Sequence, residues 1–195
     1  MSVSKIGVVG VIGAGRVGRE IAYAAARGGY RTMLEDVSPD VLEQGLAFIH
    51  RRLEEDVARG AVTNQQKQFA LANLATARRV EDACRQADLL IEAAPEEMEL
   101  KLEIFTIFDK FAKPGAILAS STASFSIAEL AAITFRSENC IGMRFSLAAP
   151  SGKLLKIVCA RDTSREAVQA CAEAGRRMGQ EVMIVLEPPG SSEAS

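Results

Sequence analysis

Three glycines near the amino terminus have the spacing of a loop that binds phosphate groups. Gly13, Gly15 and Gly18 form the pattern G-x-G-x-x-G. The first glycine permits a tight turn, the second lets a pyrophosphate approach the backbone, and the third lets a helix pack against a strand. The amino terminus of that helix offers free N–H groups and the positive end of its dipole. The backbone expected to contact the phosphates comprises Gly13, Ala14, Gly15, Arg16, Val17 and Gly18.

The surroundings of these glycines are more specific than the glycines alone. The β-type run Ile6 to Ile12 precedes them, the helical run Val17 to Ala26 follows, and the apolar run Tyr30 to Leu34 leads to Asp36. This order predicts a βαβ unit with an acid at the end of its second strand, which is typical of dinucleotide binding. Asp36 is expected to accept hydrogen bonds from the adenosine ribose. Because Glu35 and Asp36 would repel a 2′-phosphate, the predicted cofactor is NAD rather than NADP.

Strands and helices alternate along the whole chain, which predicts the α/β class. The expected architecture is a Rossmann-type, doubly wound, mostly parallel sheet with an inserted helical hairpin. The hairpin is predicted at about 39–74, where Ser38-Pro39 begins one helix and the capping pair Thr63 and Gln66 begins the next. One NAD-binding Rossmann domain is expected over 1–190, followed by a disordered tail over 191–195.

Composition and charge favour a globular protein that acts on small molecules. The 195 residues are 48% hydrophobic and 25% charged, and the net charge of −2 argues against a nucleic-acid surface. The amino terminus has no signal-peptide pattern and no long apolar run, so we expect a cytoplasmic location without membrane association. The four cysteines are scattered without metal-ligand spacing. We therefore expect reduced thiols and no metal site.

Seven short segments follow one another in an order that is typical of one enzyme family. They are VIGAGRVG, LEDVSPDVLEQG, ADLLIEAAPEEMELK, ILASSTAS, IGMRF, KLLKIV and EPPG. Together they resemble the NAD-binding domain of L-3-hydroxyacyl-CoA dehydrogenases, from about Lys5 to Gly190. The resemblance implies NAD as cofactor and a fatty acyl-CoA as ligand. It also implies a family chemistry in fatty acid metabolism, the oxidation of a 3-hydroxyl group to a ketone.

The resemblance implies three further contact residues. Glu96 matches a residue that lines the nicotinamide side of the cofactor, and Lys101 matches a lysine near the cofactor and the acyl-CoA. Arg59 lies where the family tends to place a basic residue for the phosphates of coenzyme A. Each of the three could equally be a solvated charge at the end of a helix or loop. The sequence leaves these two interpretations open.

The catalytic residues of the family do not stand at their matching positions. The family pattern G-[LM]-H-F-F-N-P supplies a histidine as general base, but this chain has Arg144 there. Lys156 stands in place of the family's glutamate, Ala123 in place of a serine, and Leu147 in place of an asparagine. A guanidinium keeps its proton near neutral pH and cannot act as a base. No catalytic residue is therefore predicted.

Arg144 and Lys156 admit two interpretations. The pair could bind an anion, such as a carboxylate or a phosphate. Alternatively, the two residues have simply drifted on a face that is open to solvent. The family continues beyond its match to EPPG into a helical domain that completes the substrate cleft and forms a dimer, whereas this chain stops near that point.

Three functions remain open from the sequence. The first is an NAD(H)-binding pseudoenzyme, related to 3-hydroxyacyl-CoA dehydrogenases, with impaired or lost catalysis. The second is an oxidoreductase of that type which a partner chain completes. The third is an interaction module that self-associates through the exposed domain-packing face. The expected ligands are NAD(H) and an acyl-CoA or another small anion, and the expected assembly is a homo-oligomer or a complex with a partner domain.

Overall fold

A computed structural model describes residues 5–146 and 154–187 of the chain. Its eight strands are β1 Val8–Ile12, β2 Arg31–Glu35, β3 Leu74–Thr76, β4 Leu89–Glu92, β5 Ile117–Ser120, β6 Cys140–Ser146, β7 Leu154–Cys159 and β8 Glu181–Leu186. Its seven α-helices within these ranges are α1 Arg16–Arg27, α2 Pro39–Ala58, α3 Asn64–Ala72, α4 Val80–Cys84, α5 Met98–Phe111, α6 Ile127–Ala132 and α7 Arg165–Arg177.

The strands form one sheet in the order β3-β2-β1-β4-β5-β6-β7-β8. The pairs from β3 to β6 are parallel, β7 runs antiparallel to β6, and β8 runs parallel to β7. This topology confirms the predicted α/β class and mostly parallel sheet. Strand order reverses between β1 and β4, and in open α/β sheets the crevice at the carboxyl ends of such strands is where ligands bind.

Apolar side chains cover both faces of the sheet, as a parallel sheet flanked by helices requires. One buried cluster joins α1, α2 and α7 to the sheet through residues such as Ile21, Ile49 and Cys171. The cluster on the opposite face joins α5 and α6 to it, with Phe105 and Phe108 at its centre. Because helices pack on both faces, the carboxyl ends of the strands remain an edge on which loops can meet.

The inserted hairpin consists of α2 and α3. The Ser38 side chain accepts from the Val41 N–H at the start of α2, and Gly60 follows that helix with a φ of +70°. Thr63 and Gln66 form a capping box at the start of α3. The hairpin packs close to the phosphate loop, because a Cβ on Gly45 would lie 3.1 Å from the Ala14 side chain. Helix α3 ends at Ala72, two residues before the predicted end of the hairpin at residue 74. The reason is that Leu74 pairs with Thr32 in the sheet.

Strand β8 forms one edge of the sheet, and several of its side chains are exposed. Met183, Ile184 and Leu186 are 47%, 51% and 80% exposed. No helix within the described ranges is long and apolar enough to span a membrane. The predicted tail 191–195 and the Leu147 position lie outside the described residues.

Candidate functional site

The glycine loop leaves β1 and becomes the amino terminus of α1. Gly13 has a φ of +98°, and a Cβ there would lie 2.6 Å from the Ala93 carbonyl oxygen. A Cβ on Gly18 would lie 1.7 Å from the Gly13 oxygen, whereas a Cβ on Gly15 would meet nothing within 4 Å. Gly13 and Gly18 are thus needed for the fold of the loop. Gly15 instead leaves open space over the start of α1, and that space fits a pyrophosphate.

Asp36 connects the end of β2 to the glycine loop. One carboxylate oxygen accepts from the Ala14 N–H at 2.8 Å, and the other accepts from the Ser38 N–H at 2.9 Å. Each carboxylate oxygen can accept a further hydrogen bond. The residue therefore shapes the loop and still has acceptor capacity for ribose hydroxyls.

Glu35, next to Asp36, is a buried acid with no basic partner among the described ion pairs. It is only 5% exposed. Burial, the neighbouring Asp36 and Glu81 raise the pKa of Glu35 to about 7. Sequence reasoning used Glu35 only as a charge that repels a 2′-phosphate, because neither its burial nor its approach to Glu81 can be seen in the sequence.

A fully buried ion pair lies at the carboxyl end of β4. The Lys101 ammonium donates to the Glu92 carboxylate at 2.8 Å, and both side chains have no exposed surface. Glu92 also accepts from the Ala94 N–H at 2.7 Å and from the Ser120 hydroxyl at 2.5 Å. Two loops, those that follow β4 and β5, are therefore held by one carboxylate.

Lys101 uses all of its donors within the protein. Besides Glu92, its ammonium contacts the Glu96 carboxylate at 3.2 Å and the Ala94 carbonyl at 3.3 Å. An ammonium has three N–H groups, so no donor is left for a ligand in this arrangement. Lys101 is therefore not a solvated charge. Any effect of Lys101 on a cofactor would be indirect, through the loop after β4 that it holds.

Glu96 organises the loop that follows β5. One of its oxygens accepts from the Thr122 hydroxyl and from the N–H groups of Ala123 and Ser124, both at 2.9 Å. Burial alone would raise the pKa of Glu96, but these hydrogen bonds and Lys101 outweigh it and lower the pKa to about 2. The carboxylate is therefore ionised over the whole physiological range.

The predicted contact residues thus form two groups. The glycine loop, Asp36, Glu96 and Lys101 meet at the carboxyl edge of the parallel strands, since Gly13 packs on Ala93 and the Ser121 N–H donates to the Glu92 carbonyl at 2.8 Å. Sequence reasoning missed Glu92, although an acid that ends the apolar run DLLIE was a usable signal.

Arg59 belongs to a different group, between α1 and α2. Its guanidinium donates to the buried Asp56 carboxylate at 2.5 Å, and Asp56 also accepts from the Tyr23 hydroxyl. Burial and Asp56 raise the pKa of Tyr23 to about 12. Arg27 and Arg52 join these residues in lining a cavity of about 320 Å³. The lining also contains the acid Glu20, and Asp56 pairs with Arg27 as well, so Arg59 is one member of a mixed charge cluster and not an isolated charge.

Arg144 and Lys156 lie opposite each other on β6 and β7. An Arg144 amino group lies 3.5 Å from the Phe125 carbonyl oxygen, beyond the loop that Glu96 holds. The two cations therefore lie side by side, next to the candidate cofactor edge. Within 5–146 and 154–187, no group of three His, Cys, Asp or Glu side chains has the arrangement of a metal site.

Comparison with known proteins identifies the family of this chain. The family model described as "3-hydroxyacyl-CoA dehydrogenase, NAD binding domain" matches residues 8–187. A 3-hydroxybutyryl-CoA dehydrogenase of Bradyrhizobium diazoefficiens is 38% identical over 181 residues, which are 93% of this chain and 61% of that protein. A 3-hydroxyadipyl-CoA dehydrogenase of Escherichia coli is 33% identical, over 93% of this chain and 38% of that protein.

A solved structure shows the same fold. The crystal structure of an (S)-3-hydroxybutyryl-CoA dehydrogenase from Ralstonia eutropha superimposes with a TM-score of 0.88 at 31% identity. The match covers 95% of this chain and 65% of that one. This chain therefore spans less than two thirds of the length of these three relatives.

The buried ion pair gives a testable stability prediction. Lys101→Met should lower the free energy of unfolding by about 3–5 kcal/mol, because the Glu92 carboxylate would stay buried without its counter-charge. Urea unfolding followed by circular dichroism measures this change. Lys110→Met, on an exposed position of the same helix, is the matched control and should change the value by less than about 0.5 kcal/mol. Equal effects of the two substitutions would contradict the assigned role of the pair.

Glu35 gives a prediction for the pH dependence of stability. The pKa of this acid is raised from 4.5 to about 7 on folding. Between these values the folded state holds more protons than the unfolded state, so stability falls as the pH rises through this window. Glu35→Gln removes the effect, and the variant should gain up to roughly 3 kcal/mol over the unmodified protein by pH 8 but little at pH 4.

Chemical unfolding at a series of pH values measures this difference. The control is Glu54→Gln, which removes an exposed carboxylate from α2 and should give a smaller gain at pH 8 than Glu35→Gln does. A Glu35→Gln difference that stays constant between pH 4 and pH 8 would show that Glu35 titrates normally.

Proposed function

The chain belongs to the 3-hydroxyacyl-CoA dehydrogenase family, of which it carries the NAD-binding domain. On that premise, we propose that it binds NAD(H) and that its catalysis on a 3-hydroxyacyl-CoA is impaired or lost. The observation that carries the proposal is the contrast between two parts of one edge. The glycine loop and Asp36 have the geometry of a dinucleotide site, whereas Arg144 and Lys156 stand where the family's pattern needs a base and its partner.

NAD is the cofactor of this family domain, and it would supply a hydride acceptor or donor when bound. The open space over Gly15 and the free N–H groups of the first turn of α1 would receive the pyrophosphate. Asp36 would accept from the ribose hydroxyls with the acceptor capacity that Ala14 and Ser38 leave free. The negative charge of Asp36 would oppose a 2′-phosphate, and Glu35, whose pKa is raised to about 7, would add to it only in its ionised fraction.

The remaining contact residues would act in different ways. Glu96 would hold the loop from Thr122 to Ser124 against the nicotinamide side of the site. Lys101 would fix the position of Glu96 through its ion pair with that carboxylate. Arg59, with its neighbours Arg27 and Arg52, would offer positive charge to the phosphates of an acyl-CoA. Asp56 neutralises part of that charge, so we expect acyl-CoA binding to be weaker than NADH binding.

The loss of catalysis follows from the chemistry of Arg144. The oxidation of a hydroxyl requires a group that accepts its proton, and a guanidinium cannot do so. Loss of a general base typically lowers the rate by roughly 10²–10⁴-fold. Lys156, directly opposite, adds a second positive charge rather than an acceptor.

A titration followed by NADH fluorescence tests cofactor binding. Asp36→Ala should weaken NADH binding by about 10–100-fold, because the hydrogen bonds of one charged acceptor are lost. Asp162→Ala, which removes an exposed carboxylate in the turn after β7, is the matched control and should leave the affinity unchanged. Failure of the unmodified chain to bind NADH would overturn the proposal.

Turnover of acetoacetyl-CoA with NADH tests the catalytic part. We expect the purified chain to bind NADH and to oxidise it no faster with acetoacetyl-CoA than without. Robust oxidation that depends on acetoacetyl-CoA would contradict the proposed loss of catalysis and would favour a working oxidoreductase. Activity that appears only after a separate helical domain of the family is added would favour completion by a partner chain.

One observation also favours a role in association. Apolar side chains of β8 are exposed, and among the described strands β8 pairs only with β7. Exposed apolar patches commonly mark interfaces, so self-association or a partner domain at this edge is a second proposal. A cytoplasmic location remains a prediction of the sequence.

A further inference from the structure

Two cations occupy one cross-strand position at the cofactor edge. Arg144 on β6 is paired with Lys156 on the antiparallel strand β7. Residues that are directly opposite in such a pair project on the same face, with Cβ atoms about 4.5–5.5 Å apart. Like charges in this arrangement repel each other and destabilise the sheet. The protein therefore carries a local excess of positive charge at a defined place.

No direct ion pair compensates this charge within 5–146 and 154–187. None of the ion pairs found there, with a nitrogen to oxygen limit of 4.0 Å, includes Arg144 or Lys156. The Nε of Arg144 is buried and has no hydrogen-bond partner in the described parts of the chain. The Nε atoms of Arg19, Arg27 and Arg52 share this property among the described residues, but Arg144 alone of the four faces a second cation across a strand pair. Its Nε–H is thus available to an acceptor that both cations attract.

Two acids on nearby loops are engaged elsewhere, and a third, Glu181, lies on the neighbouring strand β8, diagonally across from Lys156. Glu96 accepts from the loop after β5 and from Lys101. Glu187 caps α6, where its oxygens accept from the Ser126 hydroxyl and from the N–H groups of Ile127 and Ala128. None of the three acids lies within 4.0 Å of the Arg144 guanidinium or the Lys156 ammonium.

The sheet next to the pair is closed and apolar. The preceding pair on the same face is Gly142 with Val158, and a Cβ on Gly142 would lie 2.8 Å from Val158 and 3.1 Å from Ile127. Val158 and Ile127 are buried. An anion that sits over the two cations would thus have an apolar wall on one side, and this wall strengthens charge interactions by excluding water.

We propose that Arg144 and Lys156 form a binding site for a small oxyanion, a carboxylate or a phosphate group, at the position where the family's pattern has its catalytic pair. The planar guanidinium binds two oxygens of such a group at once, and the ammonium adds a point charge from the opposite strand. A bound anion also removes the repulsion between the two cations. The site does not depend on NADH, since its residues lie outside the glycine loop.

Titrations with inorganic phosphate and with acetate at low ionic strength test this site. Amide NMR signals of Phe125 and Val158 report on the site, and those of Gly15 and Val17 report separately on the glycine loop. Arg144→Gln and Lys156→Gln should each weaken the binding seen at Phe125 and Val158 by about tenfold or more, as expected for one charge-assisted interaction. The comparison of the two anions shows whether carboxylate or phosphate is preferred.

Lys110→Gln is the matched control, because it removes one positive charge from an exposed position on α5. Its binding at Phe125 and Val158 should equal that of the unmodified protein. Equal weakening in the control and the site variants, or no anion-dependent shift at Phe125 and Val158, would overturn the proposal. Repeating the titration with Asp36→Ala separates the two sites, since anion binding should keep its affinity there while NADH binding is weakened by about 10–100-fold.

A stability measurement keeps the test valid if a variant folds poorly. Lys156→Glu places an opposite charge against Arg144, so it should raise the thermal midpoint above that of Lys156→Gln at low salt and abolish anion binding. A midpoint for Lys156→Glu at or below that of Lys156→Gln would show that Arg144 carries no uncompensated charge at this position.

Discussion

The arrangement of the cofactor edge depends on the buried ion pair between Glu92 and Lys101. Two charges removed from water are favourable only when their geometry and their remaining hydrogen bonds are good. Here Glu92 also accepts from Ala94 and Ser120, and Lys101 also donates to Glu96 and to the Ala94 carbonyl. The loops that follow β4 and β5 therefore have one common anchor, and the glycine loop is adjacent to it because Gly13 packs on Ala93.

This anchor explains why a site can be formed before any ligand binds. A network in which every donor and acceptor has a partner is rigid, and rigidity lowers the cost of binding. Glu96 extends the network to Ala123 and Ser124 and so reaches the strand pair that carries Arg144 and Lys156. The edge thus runs from the phosphate loop to the paired cations, since an Arg144 amino group contacts the Phe125 carbonyl oxygen directly after the loop that Glu96 holds.

The local parts of this arrangement could be predicted from the sequence, and the parts that depend on strand order could not. The glycine loop, the hairpin caps and Asp36 follow from short patterns, because turn geometry and capping are set by neighbouring residues. The Glu92–Lys101 pair joins a strand to a helix, and its burial depends on packing between α5 and the sheet. That Arg144 lies opposite Lys156 follows from the register of β6 and β7, which the sequence does not reveal. The hydrogen bond between Arg59 and Asp56 depends on side-chain positions that only the structure supplies.

The edge strand β8 has a consequence for how the protein folds and is handled. Among the described strands it pairs only with β7, and it follows β7 and the α7 crossover in the chain. It can therefore pair only after these elements have been synthesised. From Val182 to Leu186 it contains no lysine, proline or other residue that protects a sheet edge from strand addition. Glu181 at its first position is the one charged residue of the strand, so a partly unfolded molecule would present an apolar edge on which a second strand can pair.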